Sequence, residues 1–313
     1  MKVLESHGRR LHKLRVQLLD ACNYRCTYCM PEKPTFSKAR TWLKAAELKR
    51  MVEALHERGV DELRLTGGEP LLRKDFLELA KSLSDLSWNK MGLTTNGECL
   101  APLVSALRGE TALDGMNISL DSLDPERFRQ ITGRGHLEKV LDGIHAAMGA
   151  GYALKINMVV MAGINDHEVE DFIRFGKSNG VEVRFLEIMR VGPNEEDLSR
   201  LLVPSARLRR IISEKFGLRP KVAPLDNTAS EYVTDDGVNL GFISSESESF
   251  CGNCSRLRLT ASGELRPCLF RDEGISLKGL EGAALDEALQ TVAELKPLER
   301  ISSISQAMYA IGG

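Results

Sequence analysis

Apolar residues in the first two thirds of the chain follow two alternating patterns. Short continuous apolar runs predict buried strands, whereas longer segments with apolar residues three and four positions apart predict amphipathic helices. In Ala46–Arg58, for example, the apolar positions at Leu48, Val52 and Leu55 share one face. The predicted strands are Leu14–Leu19, Glu62–Thr66, Met91–Thr94, Met116–Leu120, Lys155–Met161 and Val181–Ile188. Further predicted helices are Asp75–Leu86, His136–Met148, Asp166–Ser178 and Ser205–Phe216.

Strands that alternate with helices form βαβ units, and these units build parallel sheets. Six units are two fewer than a closed eightfold barrel has, so we predict an α/β fold with an incomplete (β/α)6 three-quarter barrel over residues 1–217. A smaller α+β region is predicted over residues 218–313. There, Asn239–Ser245 and Arg256–Thr260 have the pattern of antiparallel strands, and Leu277–Glu294 that of a helix.

Polar residues cluster where the predicted barrel strands end. A cysteine-rich loop follows the first strand, Gly67–Pro70 the second and Thr95–Gly97 the third. Later strands end with Ser119, Asp121, Glu187 and Met189. Parallel α/β barrels build their active sites at this face, so we expect these residues to share one cleft.

Composition and charge narrow the function classes. The chain has 313 residues, 42 basic and 44 acidic, with a net charge of −2. This balance gives no support for binding nucleic acid or a membrane surface. No apolar run approaches the roughly 20 residues that span a bilayer, and no hydrophobic segment of a secretion signal follows Met1–Leu11. We therefore expect a cytoplasmic protein, in which cysteines act as ligands more often than as disulfides.

Six of the seven cysteines form two triplets, and the remaining one, Cys99, is interpreted as a buried or incidental thiol. The first triplet is Cys22, Cys26 and Cys29. Its C-x3-C-x2-C spacing fits three irons of a [4Fe–4S] cube and leaves the fourth iron open to another ligand. The alternative is an exposed zinc knuckle, although a closed zinc site would need a fourth side chain.

The second triplet is Cys251, Cys254 and Cys268. Its spacing fits either an auxiliary [4Fe–4S] cluster with one open iron or a zinc ribbon that lacks a ligand. Between these cysteines, Arg256 and Arg258 alternate along a predicted strand and so share one face. That face is either solvated or a fork for phosphate and base oxygens, to which guanidinium groups are well suited.

The first triplet, followed by Gly67-Gly68-Glu69-Pro70, resembles the radical S-adenosylmethionine (radical SAM) superfamily. Further runs resemble one of its families, the GTP 3′,8-cyclases of molybdenum cofactor biosynthesis. These runs are residues 65–75, 119–124, 131–135, 250–252, 268–270 and 311–313. The resemblance covers residues 10–190 and 240–270 well and the final helix poorly.

This resemblance implies an enzyme with two [4Fe–4S] clusters and S-adenosylmethionine as cofactors. One electron would cleave S-adenosylmethionine to a 5′-deoxyadenosyl radical, which would abstract the ribose 3′ hydrogen of GTP. The carbon radical would then attack C8 of guanine, giving (8S)-3′,8-cyclo-7,8-dihydroguanosine 5′-triphosphate. Rival interpretations are a radical SAM peptide maturase with an auxiliary cluster and a non-enzymatic iron–sulfur electron carrier.

The resemblance also implies roles for individual residues. Cys22, Cys26 and Cys29 would hold the cofactor cluster, and Cys251, Cys254 and Cys268 the substrate cluster. Contacts to S-adenosylmethionine would come from Tyr28, Gly68, Glu69, Ser119 and Met189. Contacts to GTP would come from Arg15, Arg64, Thr95, Lys155, Arg256, Leu257 and Arg258, with Arg256 and Arg258 also catalytic. A triphosphate needs several converging cations, and Arg184 is included because it lies on a predicted barrel strand like the others.

Some positions depart from the family pattern. Ala21 stands where arginine is common, Glu62 where lysine is usual and Ser255 where asparagine is usual, and Arg190 could supply a replacement charge. The implied partners are GTP as substrate, a low-potential electron donor of the flavodoxin or ferredoxin type, a downstream pyranopterin-forming enzyme and a second copy of the chain in a homodimer. The family's terminal glycines insert into the active site, which predicts the same for Gly312 and Gly313.

Overall fold

Fourteen strands and nine α-helices form the part of the chain that the computed structural model describes, which is residues 4–31, 33–191, 195–301 and 308–312. The strands are β1 Glu5–Ser6, β2 Arg9–Arg10, β3 Lys13–Gln17, β4 Glu62–Thr66, β5 Lys90–Thr95, β6 Gly115–Ser119, β7 Ala153–Val160, β8 Glu182–Glu187, β9 Arg219–Pro220, β10 Ser230–Val233, β11 Asn239–Ile243, β12 Arg256–Leu259, β13 Glu264–Arg266 and β14 Ile275–Ser276. The helices are α1 Ala45–His56, α2 Phe76–Ser84, α3 Val104–Glu110, α4 Pro125–Thr132, α5 Leu137–Gly149, α6 Val169–Asn179, α7 Glu195–Arg200, α8 Ser205–Phe216 and α9 Gly282–Glu294.

The six predicted barrel strands, β3 to β8, are parallel and adjacent in chain order. Among the described residues, the ends of this row continue into strands of the C-terminal region and do not pair with each other. The barrel therefore stays open on one side. The predicted α/β fold with an incomplete barrel is confirmed.

The C-terminal strands β11 and β12 extend the barrel at its two edges. β11 pairs in parallel with β8, and β12 pairs in parallel with β3, which places Arg258 opposite Arg15. On their outer sides the same strands pair antiparallel with β10 and β13. The prediction of antiparallel strands was therefore right for the pairing of β11 with β10 and of β12 with β13. It was wrong for the pairing of β11 and β12 with the barrel strands, which is parallel. The division of the chain near residue 218 stays a prediction, since strands from both parts belong to one sheet.

Alternation along the strands separates an apolar outer face from a polar interior. On β7, Leu154, Ile156, Met158 and Val160 are buried in the apolar core. The intervening Asn157 faces the barrel interior, where polar side chains from other strands also lie. This arrangement gives the inside of the barrel its hydrogen-bonding and charged groups. No helix in the described ranges has the length and apolar character needed to cross a membrane.

Candidate active site

A cavity of about 270 Å³ lies at the carboxyl ends of the barrel strands and reaches into the barrel. Both cysteine triplets line it, one from the loop after β3 and the other from the segments flanking β12 and β13. The strand ends predicted to share a cleft contribute Gly68, Asn96, Ser119, Asp121 and Met189. The structure thus brings the two triplets together around one space, although 222 positions separate Cys29 from Cys251.

The N-terminal triplet occupies a tightly turned loop. The amides of Cys29 and Met30 both donate to the carbonyl of Cys26 at 3.0 Å, and the amide of Tyr24 donates to Sγ of Cys22 at 3.4 Å. Burial raises the pKa of the Cys22 thiol to about 11 and that of Cys29 to about 12. Metals bind thiolates, and a cationic centre beside these thiols would lower their pKa values. The donor set therefore fits an iron–sulfur cluster.

The C-terminal triplet lies in a more cationic environment. Burial by itself would raise the pKa of Cys254, but Arg256 and Lys296 beside it lower that pKa to about 6. Nζ of Lys296 is held in place by the carbonyls of Arg256, at 2.6 Å, and Pro267, at 2.8 Å. This triplet presents a thiolate near neutral pH and also fits a cluster. Within the described ranges no three Cys, His, Asp or Glu side chains converge to hold a single ion; in a cube each thiolate binds a separate iron.

A group of arginines lies between the triplets. Arg15 on β3 is opposite Arg258 on β12, and Arg184 reaches the same cavity from β8. Burial, followed by the charges of Arg258, Arg256 and Arg64, holds the pKa of Arg15 well below its usual range. In the described part of the chain, Arg15 makes no ion pair with a carboxylate. Like charges gathered in a cavity, with Arg15 unpaired by any carboxylate of the described residues, favour binding of an anion.

Arg256 and Arg258 have fixed orientations on β12. Arg256 donates to the hydroxyl of Thr228, and its guanidinium lies 4.9 Å from the ring centroid of Phe250. Arg258 is 8% exposed, and burial followed by the charge of Arg256 lowers its pKa to about 10. Both line the cavity, so the face they share is not a solvated strand face.

Four residues predicted to contact S-adenosylmethionine line the cavity. They are Tyr28, Gly68, Ser119 and Met189. One of them, Met189, packs with Leu269 and Phe270, which follow Cys268 of the second triplet. The hydroxyl of Tyr28 donates to Oδ2 of Asp121 at 2.7 Å, which fixes the ring beside the cysteine loop. A Cβ atom on Gly68 would lie 2.3 Å from the carbonyl oxygen of Ala21, so only glycine allows this close approach to the cysteine loop.

Glu69, predicted to bind the methionyl amino group, does not line the cavity. Its carboxylate accepts from the amide of Leu71 at 3.0 Å, the hydroxyl of Thr95 at 2.7 Å and the amide of Asn96 at 2.7 Å. Burial raises the pKa of Glu69 to about 7 despite these bonds. In this arrangement Glu69 joins the loops after β4 and β5, and its contact with a ligand stays a prediction.

The predicted GTP contacts fall into two groups. Arg15, Thr95, Arg184, Arg256 and Arg258 line the cavity. Arg64, Lys155 and Leu257 do not, and Leu257 belongs to the apolar core. Deeper in the barrel, Nζ of Lys155 lies 2.8 Å from Glu182, and Nε of Arg184 lies 2.6 Å from the same carboxylate. The sequence pattern did not reveal Glu182 as the countercharge of these two cations.

Several cavity residues were missed in the sequence. Oδ1 of Asn157 is buried and has no hydrogen-bond partner among the described residues, although Asn157 lines the cavity between Ser119 and Arg184 in the strand register. Its inward position on a strand with alternating burial was the available signal. Lys296 follows α9 and had no pattern to mark it. Arg190, suggested as a replacement charge, does not line the cavity and pairs with Glu246 at 2.8 Å.

The end of the chain also reaches the site. Tyr309 lines the cavity and its carbonyl accepts from Nε2 of Gln17 at 2.9 Å. Ile311 is buried, and the carbonyl of Gly312 accepts a hydrogen bond from Arg258. Gly313 lies outside the described residues.

Comparison with known proteins agrees with this geometry. A family model described as the radical SAM superfamily matches residues 16–176, and one described as Molybdenum Cofactor Synthesis C matches residues 181–300. The GTP 3′,8-cyclase of Synechocystis sp. is 41% identical over 311 residues, which cover 99% of this chain and 95% of the relative. That of Marinobacter nauticus is 37% identical over 305 residues, covering 95% and 92%. The chain belongs to the GTP 3′,8-cyclase family.

Two solved structures share the fold. Streptococcus suis SuiB bound to its precursor peptide SuiA has a TM-score of 0.67 at 16% identity, over 93% of this chain and 67% of that chain. The anSMEcpe protein with bound AdoMet and the Kp18Cys peptide has a TM-score of 0.54 at 14% identity, over 89% and 81%. The predicted superfamily and family are confirmed, whereas the roles of individual site residues stay predictions.

Proposed function

We propose that this member of the GTP 3′,8-cyclase family converts GTP to (8S)-3′,8-cyclo-7,8-dihydroguanosine 5′-triphosphate, a reaction of molybdenum cofactor biosynthesis. Its cofactors are two [4Fe–4S] clusters and S-adenosylmethionine. The observation that carries the proposal is the position of Arg15, Arg256 and Arg258 in one cavity between two cysteine triplets. A radical SAM site alone needs only the first triplet, and the cations and second triplet supply a place for a nucleotide.

The arginines on β3 and β12 are proposed to bind the triphosphate. Guanidinium groups form paired hydrogen bonds with phosphate oxygens, and several such groups together balance a polyanion. The charges of Arg258, Arg256 and Arg64 all act against the charged form of Arg15, so a bound triphosphate would relieve this repulsion. Arg184 on β8 also reaches the cavity, but Glu182 partly neutralises its charge. We therefore expect Arg184 to make a weaker contact with the phosphates than the other arginines do, or to contact the sugar.

The cysteine triplets are proposed to hold the two clusters at opposite sides of the cavity. S-adenosylmethionine bound at the first cluster would supply the radical that abstracts a hydrogen atom from the substrate. Tyr28 lies in the loop of that triplet and Gly68 against it, and together with Ser119 and Met189 in the cavity wall they would position S-adenosylmethionine. The second cluster would hold the base through its open iron, and Arg256 beside Cys254 would then orient the nucleotide from base to phosphate.

Apolar side chains in the cavity wall would also limit the access of water to the reacting carbon. Apolar residues including Leu186, Ile243, Leu269 and Phe270 contribute to the cavity wall. Excluding water prevents side reactions of a reactive centre, and holding sugar and base together favours bond formation within one molecule. The chain's contribution is therefore binding, orientation and exclusion of solvent.

Partners and location beyond the substrate are part of this proposal. We propose a low-potential electron donor of the flavodoxin or ferredoxin type, a downstream pyranopterin-forming enzyme that consumes the product, a homodimer and a cytoplasmic location. Six of the seven cysteines are assigned as cluster ligands, a use of cysteine that is common in the reducing cytoplasm.

The test is anaerobic reconstitution with iron and sulfide, followed by incubation with S-adenosylmethionine, dithionite and each nucleoside triphosphate in turn. GTP should give 5′-deoxyadenosine together with a new nucleotide that has the mass of GTP but elutes separately. Cofactor cleavage without nucleotide conversion would point to another substrate, as in a peptide maturase. No cofactor cleavage at all would indicate an electron carrier.

A further inference from the structure

Four exposed cations are concentrated in the segment that follows the N-terminal cysteine loop. Lys33, Lys38, Arg40 and Lys44 are all exposed, and the sequence between the first and last of them contains no acidic residue. The whole chain, by contrast, carries a net charge of −2. This local excess of positive charge therefore needs an explanation of its own.

The segment is fixed against the loop that carries the first triplet. The amide of Ser37 donates to Oδ2 of Asp20 at 2.6 Å, and Nε1 of Trp42 donates to Oδ1 of the same carboxylate at 3.1 Å. The guanidinium of Arg25, which lies within the triplet, is 4.8 Å from the ring centroid of Phe36. Because Asp20 is two positions before Cys22, these contacts hold the cations beside the N-terminal cluster loop.

Helix α4 brings two more cations to the same loop. The amide of Arg25 donates to the carbonyl of Thr132 at 2.7 Å, which joins the cysteine loop to the end of α4. Arg129 and Arg134, on either side of that carbonyl, are exposed. We call Lys33, Lys38, Arg40, Lys44, Arg129 and Arg134 the basic patch. Within the described ranges none of the six forms an ion pair, so their charge is available to a partner.

We propose that the basic patch docks a small acidic protein that carries single electrons at low potential and delivers them to the N-terminal cluster. The inference rests on the proposed function, in which each cleavage of S-adenosylmethionine consumes one electron. That electron leaves the donor, which is oxidised, and enters the cluster, which is reduced. The donor must come close to the first triplet, and the patch is built around its loop.

Charge complementarity selects this kind of occupant. Electron-transfer complexes have small, transient interfaces, and opposite charges speed and orient their encounter. A patch of six unpaired cations suits a protein with an acidic surface around its redox group. A nucleic acid would also be attracted, but the chain outside the patch has no excess of positive charge to extend its path.

The experiment reverses two charges in the patch and two elsewhere. Lys33→Glu/Lys38→Glu is the test variant. Arg207→Glu/Arg210→Glu on α8 is the matched control, because it reverses two exposed arginines far along the chain and changes the net charge equally. Turnover of GTP is measured with an acidic flavodoxin and its reductase, and separately with dithionite. Binding of oxidised flavodoxin and of a single-stranded RNA is measured with cluster-loaded and cluster-free protein at several salt concentrations.

The proposal expects the test variant to lose at least tenfold in flavodoxin-supported turnover and in flavodoxin affinity at low salt, about 1.4 kcal/mol. Dithionite-supported turnover and the KM for GTP should stay within about twofold, and the control should match the natural protein in every assay. High salt should weaken flavodoxin binding to the natural protein, and it should therefore reduce the difference in flavodoxin affinity between the natural protein and the test variant.

Three results would overturn the docking surface. Equal flavodoxin binding by both variants would remove the patch from the interface. A raised KM for GTP with dithionite would assign the patch to attraction of the nucleotide, and loss of single-stranded RNA binding with unchanged flavodoxin binding would assign it to nucleic acid. If the natural protein shows no turnover of GTP with dithionite, the proposed function is refuted. The flavodoxin-binding measurements would still show whether the basic patch is the docking surface.

Discussion

Arg258 donates a hydrogen bond of 2.5 Å to the carbonyl of Gly312, 54 positions further along the chain. The contact is buried and joins the end of the chain to the arginine group in the cavity. Gly312 has a φ of +70°, and a Cβ atom there would lie 2.9 Å from Cβ of Gln17. Glycine is therefore required at this position both by backbone conformation and by space.

Replacing Gly312 with alanine should lower cyclic product formation by at least tenfold, about 1.4 kcal/mol of transition-state stabilisation. The reason is that the added methyl group would push the carbonyl away from Arg258. Deleting residues 312–313 should act similarly. Iron content and S-adenosylmethionine binding should remain nearly intact.

The matched control is Gly279→Ala, because Gly279 has a φ of +71° and open space around its Cα atom. It carries the same backbone strain without the contact and should keep full activity. Equal activity in the Gly312→Ala and Gly279→Ala variants would reduce the chain end to a frayed terminus.

Replacing Arg15 with methionine should raise the KM for GTP by at least tenfold, about 1.4 kcal/mol. Stability should hold or increase, because the change removes a cation that faces three other arginines. Steady-state kinetics and urea unfolding of the same preparation measure the two effects.

Arg73 provides the comparison for stability. Its guanidinium donates to the carbonyls of Leu18 and Leu43 at 3.0 Å and pairs with Asp75 at 2.7 Å. Arg73→Met should therefore cost roughly 2 kcal/mol or more. If Arg15→Met proves as destabilising as this, Arg15 is a structural residue and the account of the phosphate site is wrong.

The two triplets should bind iron independently. Reconstituted protein should hold about eight irons, and the triple replacement of Cys251, Cys254 and Cys268 by alanine should leave about four. The triple variant should still cleave S-adenosylmethionine slowly but make no cyclic product. Zinc in place of iron, or unchanged iron in the variant, would contradict the two-cluster account.

Glu69 should make stability depend on pH. Its folded pKa, raised to about 7 from 4.5, means that the folded state holds its proton more tightly than the unfolded state does. Its contribution is therefore fully present below the unfolded pKa and is lost as the pH rises through 7. The measured quantity is the free energy of unfolding of the cluster-free natural protein minus that of the cluster-free Glu69→Gln variant. This difference should fall by about 3 kcal/mol between pH 4.5 and pH 7. A constant difference in urea unfolding across this range would show that the carboxylate is already ionised.

Much of the fold could be predicted because the information is local. Each barrel strand shows its own apolar run, and each cysteine triplet lies within a short stretch of chain. The parallel pairing of β11 with β8 and of β12 with β3 could not be predicted, since partners distant in sequence leave no mark in either strand. For the same reason the sequence placed β12 near the second triplet but not beside Arg15.

The depth of a side chain in the barrel was equally hidden. The apolar pattern correctly placed Arg64 and Lys155 on strands of the barrel. Their positions along those strands, however, keep both side chains out of the cavity lining. The ion pair of Lys155 with Glu182 joins two neighbouring strands, so neither strand alone could reveal it. Glu69 shows the limit of a motif. The motif marked the residue as important, whereas only the structure shows its bonds to Leu71, Thr95 and Asn96.

In the proposed reaction, one cavity holds GTP with its ribose facing the S-adenosylmethionine side and its triphosphate on the arginines. The most direct measurement uses GTP with deuterium at the ribose 3′ carbon, incubated with the reconstituted enzyme, S-adenosylmethionine and dithionite. The account predicts that 5′-deoxyadenosine acquires one deuterium for each cyclic nucleotide formed. Deuterium retained in the nucleotide, with 5′-deoxyadenosine unlabelled, would contradict it.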